Sequence, residues 1–210
     1  MGARGSELSD ARHCLEGLGT SALSDALAGA GVLGPGVVRI AGDGCVCGRA
    51  VTAWCGDGAA GPILQEAVAD LAAGDFLCLA APGDRASIGD LLVAELARLG
   101  AAAVAVDGWV RDRARLRQLG FGVFARGVTP RARHGEAHGR TQVPVAFGET
   151  VVAPGDWVVG DDDGVVAVPS DRLDEVLVRA EAVVERDERM QAAIAAGVSL
   201  FDAWARETGR

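Results

Sequence analysis

The chain has 210 residues, half of them hydrophobic and 23% charged, enough for one ordinary domain with a full apolar core. Its formal net charge of −9 argues against DNA, RNA and acidic membranes as partners, because phosphate binding is driven by excess positive charge. Every one of the 20 basic residues is Arg, which excludes Schiff-base chemistry, pyridoxal phosphate and a Walker-type phosphate loop. Tyr and Asn are missing as well. Charge stabilisation in any reaction therefore falls to Arg, backbone amides or a bound cation.

Between residues 7 and 30, Leu8, Ala11, Leu15, Leu18 and then Ala22, Leu23, Ala26, Leu27 recur at helical spacing, with Gly17 and Gly19 as punctuation. This pattern predicts two short helices. An α/β core follows over 45–125. It contains a β-branched run near Ala50–Ala53, a helix from Pro62 to Ala73 and a buried strand at Phe76–Ala80. A helix over Ser87–Leu99, capped by Ser87, and a second buried strand at Ala102–Val106, ending at Asp107-Gly108, complete the alternation. A short polar helix from Arg111-Asp112 reaches Leu119. Short strands separated by Gly-Glu, Pro-Gly-Asp and Asp-Gly turns then predict a β-meander over 140–168. Within it, the Asp-Gly between Val158-Val159 and Val165-Val166 predicts a two-residue hairpin. A long amphipathic helix is expected over 171–196, its stripe carrying Leu173, Val176, Leu177, Ala180, Val183 and Val184. With no long linker and no repeat, residues 1–210 read as a single domain. An odd count of five Cys, no apolar leader and no run of 18 apolar residues point to the cytoplasm.

Several motifs have bland readings. Gly29–Gly34 follows a helix, the wrong context for a dinucleotide fingerprint, whereas Gly56-Asp57-Gly58-Ala59-Ala60-Gly61 lies between a strand and a helix and leaves a nucleotide-binding reading open. Asp57 in that loop would repel a pyrophosphate, so a tight turn is the better reading. His134-Gly135-Glu136-Ala137-His138 has ligand types but no rigid element to present them. Asp161-Asp162-Asp163 lacks the alternation of a calcium loop. More telling is Gly89-Asp90-Leu91-Leu92, at a predicted helix N-terminus, followed beyond a buried strand by Asp107-Gly108-Trp109-Val110-Arg111-Asp112. An alternating layout brings both to one sheet edge and joins anion-binding amides, a guanidinium and carboxylates. A plain surface Arg–Asp pair accounts for the spacing equally well.

Together with Val123–Pro130, Pro154-Gly155-Asp156 and Asp161–Val166, these motifs resemble the RraA-like family over roughly Ser21 to Leu200. That family includes divalent-metal-dependent 4-hydroxy-4-methyl-2-oxoglutarate / 4-carboxy-4-hydroxy-2-oxoadipate aldolases and regulators of ribonuclease activity. The resemblance implies a compact swivelling β/β/α domain with a C-terminal helix, assembled as a homotrimer or homohexamer, and it sets aside a Rossmann-like alternative. It implies an aldolase that releases pyruvate from a 4-hydroxy-2-oxo dicarboxylic or tricarboxylic acid through a stabilised enolate, with oxaloacetate decarboxylation as a side activity. Mg²⁺ or Mn²⁺ would be held directly by Asp112, and Arg111 would contact the pyruvate-derived oxygen. The amides of Leu91 and Leu92, next to Gly89, would take the substrate carboxylate, and Asp90 would act on the metal through water. An acid on the C-terminal helix of a neighbouring subunit would complete the site, with Asp187 the best match and Glu185 and Glu188 the alternatives. Arg115 stands where family enzymes carry an acid. The family's non-catalytic ribonuclease regulators typically lack the counterpart of Asp112, so its presence favours the enzyme over the regulator.

Overall fold

The computed structural model describes residues 2–34 and 36–209, with side chains from residue 10 onward. Its elements in chain order are α1 (Gly2–Ala26), β1 (Val38–Ala41), β2 (Val46–Cys55), α2 (Gly61–Ala69), β3 (Phe76–Ala80), β4 (Ala86–Ile88) and α3 (Asp90–Arg98). Then come β5 (Ala103–Val110), α4 (Arg113–Leu119), β6 (Gly122–Val128), β7 (Gly139–Thr141), β8 (Val145–Phe147) and β9 (Thr150–Val152). The chain ends with β10 (Trp157–Gly160), β11 (Val165–Val168), α5 (Leu173–Ala195) and α6 (Leu200–Thr208).

Nine strands form one sheet in the order β1-β6-β5-β3-β2-β10-β11, with β4 added to β5 and β7 to β2. β2, β3, β5 and β6 run parallel, and the outer strands β1, β7, β10 and β11 are antiparallel to their neighbours. Both faces of the parallel centre are buried, which is why its strands read as continuous apolar runs. In β3, Leu77 and Leu79 point into the cluster covered by α2, α3 and α4, while Phe76, Cys78 and Ala80 join Phe124 and Phe147 on the opposite face, under the β8–β9 hairpin. A third cluster fills the space between α1, α5 and the β10–β11 pair, around Leu15, Leu23, Trp157 and Val176.

This is the mixed α/β architecture expected, with six local corrections. The N-terminal helices occupy 2–26, not 7–30, and Gly19 (φ 73, ψ 170) breaks the helical path between them. Ser87 does not cap α3; it lies in β4, and Gly89 takes the cap position with no side-chain cap bond. The second buried strand continues through Asp107-Gly108 to Val110. The stretch 140–168 is not a simple meander, because β7 pairs with β2 and β8–β9 form their own two-stranded sheet. Its last turn is also longer than expected, with four residues, Asp161–Gly164, between Gly160 and its partner Val165. Finally, the helix expected over 171–196 is a 3-10 turn at Ser170–Arg172 followed by α5, and a further helix, α6, lies beyond it.

Candidate active site

The extension of β5 builds the site. β4 pairs with the far end of β5, Ala86 opposite Trp109 and Ile88 opposite Val110, so both strands end side by side and the Arg111 amide donates to the Ile88 carbonyl at 3.0 Å. The chain leaves β4 through Gly89 into α3, and leaves β5 through Arg111 and Asp112 into α4. Two connections that the sequence separates by about twenty residues therefore share one edge, as the spacing predicts.

Gly89 leaves space there that a side chain would fill. A Cβ would overlap Asp112 Oδ2 and lie 3.1 Å from both Cγ and Nε of Arg111. Asp112 adopts the left-handed conformation (φ 63, ψ 31), one that Asp and Asn tolerate better than most residues. Its carbonyl accepts from the amides of Arg115 and Leu116 and starts α4, which turns the carboxylate back toward α3. There Asp112 Oδ2 lies 3.3 Å from Arg111 Nε and 3.5 Å from the Asp90 amide. The amides of Leu91 and Leu92, in the first turn of α3, have no protein acceptor among the described residues. Asp90 in turn lies 3.9 Å from Arg115 Nε.

A cavity of about 440 Å³ opens from this edge, with Arg111, Gly89, Asp90, Leu91 and Leu92 on one side and Leu64, Gln65 and Val68 of α2 on the other. Arg111 and Asp112 are half-exposed, so both can meet a ligand. Ser87 also lines this cavity, and its Oγ is buried without a partner. Sequence reasoning missed that position because it took Ser87 for a helix cap.

The remaining predicted residues are elsewhere. Asp107 pairs with Arg126 on β6 and takes no part in the cavity. Asp187, Glu185 and Glu188 lie on α5, where Asp187 pairs with Arg186 at 2.8 Å, and within one chain none is ion-paired or hydrogen-bonded to Arg111, Asp112 or α3 among the described residues. The Gly56–Gly61 loop is packed beneath the 134–138 loop: the Gly56 amide donates to the His138 carbonyl, and a Cβ on Gly58 would overlap the Glu136 carbonyl. Gly58 thus has a structural cause. The three carboxylates of the β10–β11 turn are all partnered, Asp161 with Thr20, Asp162 with Arg39 at 2.8 Å and Asp163 with Ser21.

Among the described residues no group of three or more His, Cys, Asp or Glu side chains converges. The donor set at the site is two carboxylates, Asp112 and Asp90, both oxygen ligands. That suits a hard divalent cation such as Mg²⁺, which keeps several waters and takes one or two carboxylates, and does not suit a zinc cage. The absence of a Cβ at Gly89 leaves room beside Asp112 Oδ2 for such a coordination shell. Thiol ligation finds no support: burial pushes the Cys45 and Cys55 thiols up to about 11 and raises Cys47 and Cys78 further, so all four stay protonated at neutral pH.

The fold is that of the aldolase/RraA proteins. The family model "RraA-like: Aldolase/RraA" matches residues 20–167, and the chain belongs to this family. A Halalkalibacterium halodurans protein named "Putative 4-hydroxy-4-methyl-2-oxoglutarate aldolase" is 33% identical over 187 residues, spanning 88% of this chain and 89% of that protein. The structure of a Streptomyces coelicolor protein described as an unusual member of the RNase ES inhibitor RraA protein family superposes with a TM-score of 0.77 at 28% identity, covering 85% of this chain and 94% of that one. The RNA-processing inhibitor RraA of Thermus thermophilis gives 0.64 at 28% identity, over 71% and 92%. No described helix is long and apolar enough to cross a membrane.

Proposed function

We propose that the protein is a divalent-metal-dependent lyase that releases pyruvate from a 4-hydroxy-2-oxo acid and decarboxylates oxaloacetate at the same site. One observation carries this reading: α3 residues with unpartnered amides and Arg111 line one cavity, and the Asp112 carboxylate lies 3.3 Å from the Arg111 guanidinium. The relatives named as aldolases support the reaction class.

In a retro-aldol cleavage the C3–C4 bond breaks, the C4 hydroxyl loses its proton, C4 becomes a carbonyl, and the electron pair is left on C3 as the enolate of pyruvate. Loss of CO₂ from oxaloacetate leaves the same enolate. The Leu91 and Leu92 amides, at the positive end of α3, bind the substrate C1 carboxylate. Arg111 donates to the C2 oxygen, where negative charge grows, and no Lys is needed. Asp112 would hold the cation and Asp90 would act on it through water, while Asp187, or Glu185 or Glu188, would reach the site from a neighbouring subunit of a homotrimer or homohexamer. Mg²⁺ or Mn²⁺ supplies Lewis acidity toward the 2-oxo acid. A water molecule or hydroxide in the site takes the C4 hydroxyl proton, and protonation at C3 then yields pyruvate.

The test is pyruvate release from oxaloacetate and from 4-hydroxy-4-methyl-2-oxoglutarate, coupled to lactate dehydrogenase, with Mg²⁺ or with EDTA. Release above the EDTA control from either compound is expected; none from both argues against the reading. The second reading, a ring-shaped regulator that binds a ribonuclease, draws on the named RraA relatives and on the acidic surface, and predicts binding that ignores EDTA.

A further inference from the structure

Resting on the assembled site of that reading, we infer that the exposed face of α5 docks on α4 of a second copy of this chain, where Glu185 and Glu188 pair with that copy's Arg115. Of the three acids that could reach a neighbouring subunit, this selects Glu185 and Glu188 over Asp187. It also makes Arg115 the residue that ties assembly to the site.

Both surfaces are unbalanced within one chain. Glu181, Glu185 and Glu188 recur at i, i+4 and i+7, so they form one stripe along α5, and all three are exposed. Like charges at this spacing oppose the helix that carries them unless a cation covers them. The arginines of α5 are engaged elsewhere: Arg179 with Glu175 at 2.7 Å, Arg186 with Asp187 at 2.8 Å and Arg189 with Glu207 at 2.8 Å. Asp187 lies off the stripe, on the side of Val176, Ala180 and Val183, which pack into the cluster beneath α5.

The complementary surface is α4. It places Arg113, Arg115 and Arg117 within seven residues, all exposed, in a chain of net charge −9. Among the described residues Arg113 and Arg117 pair with no carboxylate, and Arg115 meets the Gln118 side-chain oxygen at 2.9 Å and Asp90 only at 3.9 Å. Each surface adds apolar area to its charges, since Val178 on the α5 stripe is 67% exposed and Leu119, one turn beyond Arg115, is 42% exposed. Opposite charges on two such surfaces select the partner and fix its register. A carboxylate arriving at Arg115 also competes with Asp90 for the guanidinium, and leaves Asp90 free for its role beside Asp112.

The experiment reads assembly by sedimentation velocity over a dilution series with Mg²⁺ present, and the site by the coupled pyruvate assay on the same samples. The wild type is expected to associate, less tightly as salt rises because exposed charges are screened, and to lose pyruvate release per subunit on dilution through its dissociation constant. Glu185→Arg combined with Glu188→Arg should raise that constant at least about thirtyfold, and so should Arg115→Glu, because each brings like charges together. All three substitutions in one chain exchange the signs and should associate more tightly than either set alone, with unchanged circular dichroism throughout. A monomeric wild type, reversed variants that associate as tightly as the wild type, or a combined variant no tighter than either set overturns the inference. Association that follows the expected pattern without pyruvate release leaves the docking in place and removes the lyase reading, whereas release by a monomeric wild type does the reverse.

Discussion

Asp112 and Gly89 carry the site at the scale of single residues. The left-handed backbone at Asp112 accepts Asn, so Asp112→Asn removes the charge without straining the turn. Metal-dependent pyruvate release is expected to fall about 10²–10³-fold in that variant, with the melting temperature within about 2 °C of wild type. Gly89→Ala acts through space: its Cβ would displace the Asp112 carboxylate, so release should fall in a protein that still folds, which circular dichroism and the coupled assay together check. Gly89–Leu92 and Arg111-Asp112 were legible in the sequence because their spacing, one helix and one buried strand apart, fixes them to a common edge. Ser87 was not, since hydroxyl residues before a helix look like caps. Here the Ala86 amide instead donates to the Arg131 carbonyl, and the segment is drawn into β4, a pairing that no local signal announces.

Among the elements, α1 and the β10–β11 turn explain each other. Gly19 interrupts the helix, and the segment that restarts at Thr20 is capped from across the chain: the Thr20 amide donates to Asp161 Oδ2 at 2.8 Å and its hydroxyl to Oδ1 at 2.6 Å. Asp161→Ala should destabilise the protein by about 1 kcal/mol, the usual value of a lost N-cap, read as a lower urea midpoint at unchanged slope. The two-residue hairpin expected from Asp-Gly became a four-residue loop because its carboxylates are taken up by Thr20, Arg39 and Ser21, partners more than a hundred residues away in sequence. α6 was legible but unread. Ser199 and Asp202 have capping-box spacing, and the Ser199 hydroxyl does accept from the Asp202 amide at 3.1 Å.

At the scale of the whole molecule, the parallel centre was the most readable part, because burial on both faces leaves an unbroken apolar run. The outer strands were the least readable: β7, β8 and β9 are each only three residues long, and tertiary contacts decide which sheet each joins. That buried centre also holds thiols whose ionisation opposes folding. The ordinary thiol value of 9.0 rises to about 11 for Cys55 because burial penalises the thiolate. Its contribution is present in full below pH 9 and is lost as pH rises toward 11, since the unfolded chain gives up its proton first. Urea midpoints should therefore decline from pH 9 to 10.5, and Cys55→Ala should make that decline shallower.

The central claim is that this edge stabilises the enolate of pyruvate, and the most direct measurement needs no aldol substrate. Exchange of the pyruvate methyl protons in deuterated water, followed by proton NMR, reports enolate formation itself. The account predicts exchange with Mg²⁺ that is suppressed by EDTA and by either Arg111→Gln or Asp112→Asn. Exchange no faster than in buffer with Mg²⁺ alone, or exchange undiminished in both variants, would contradict it.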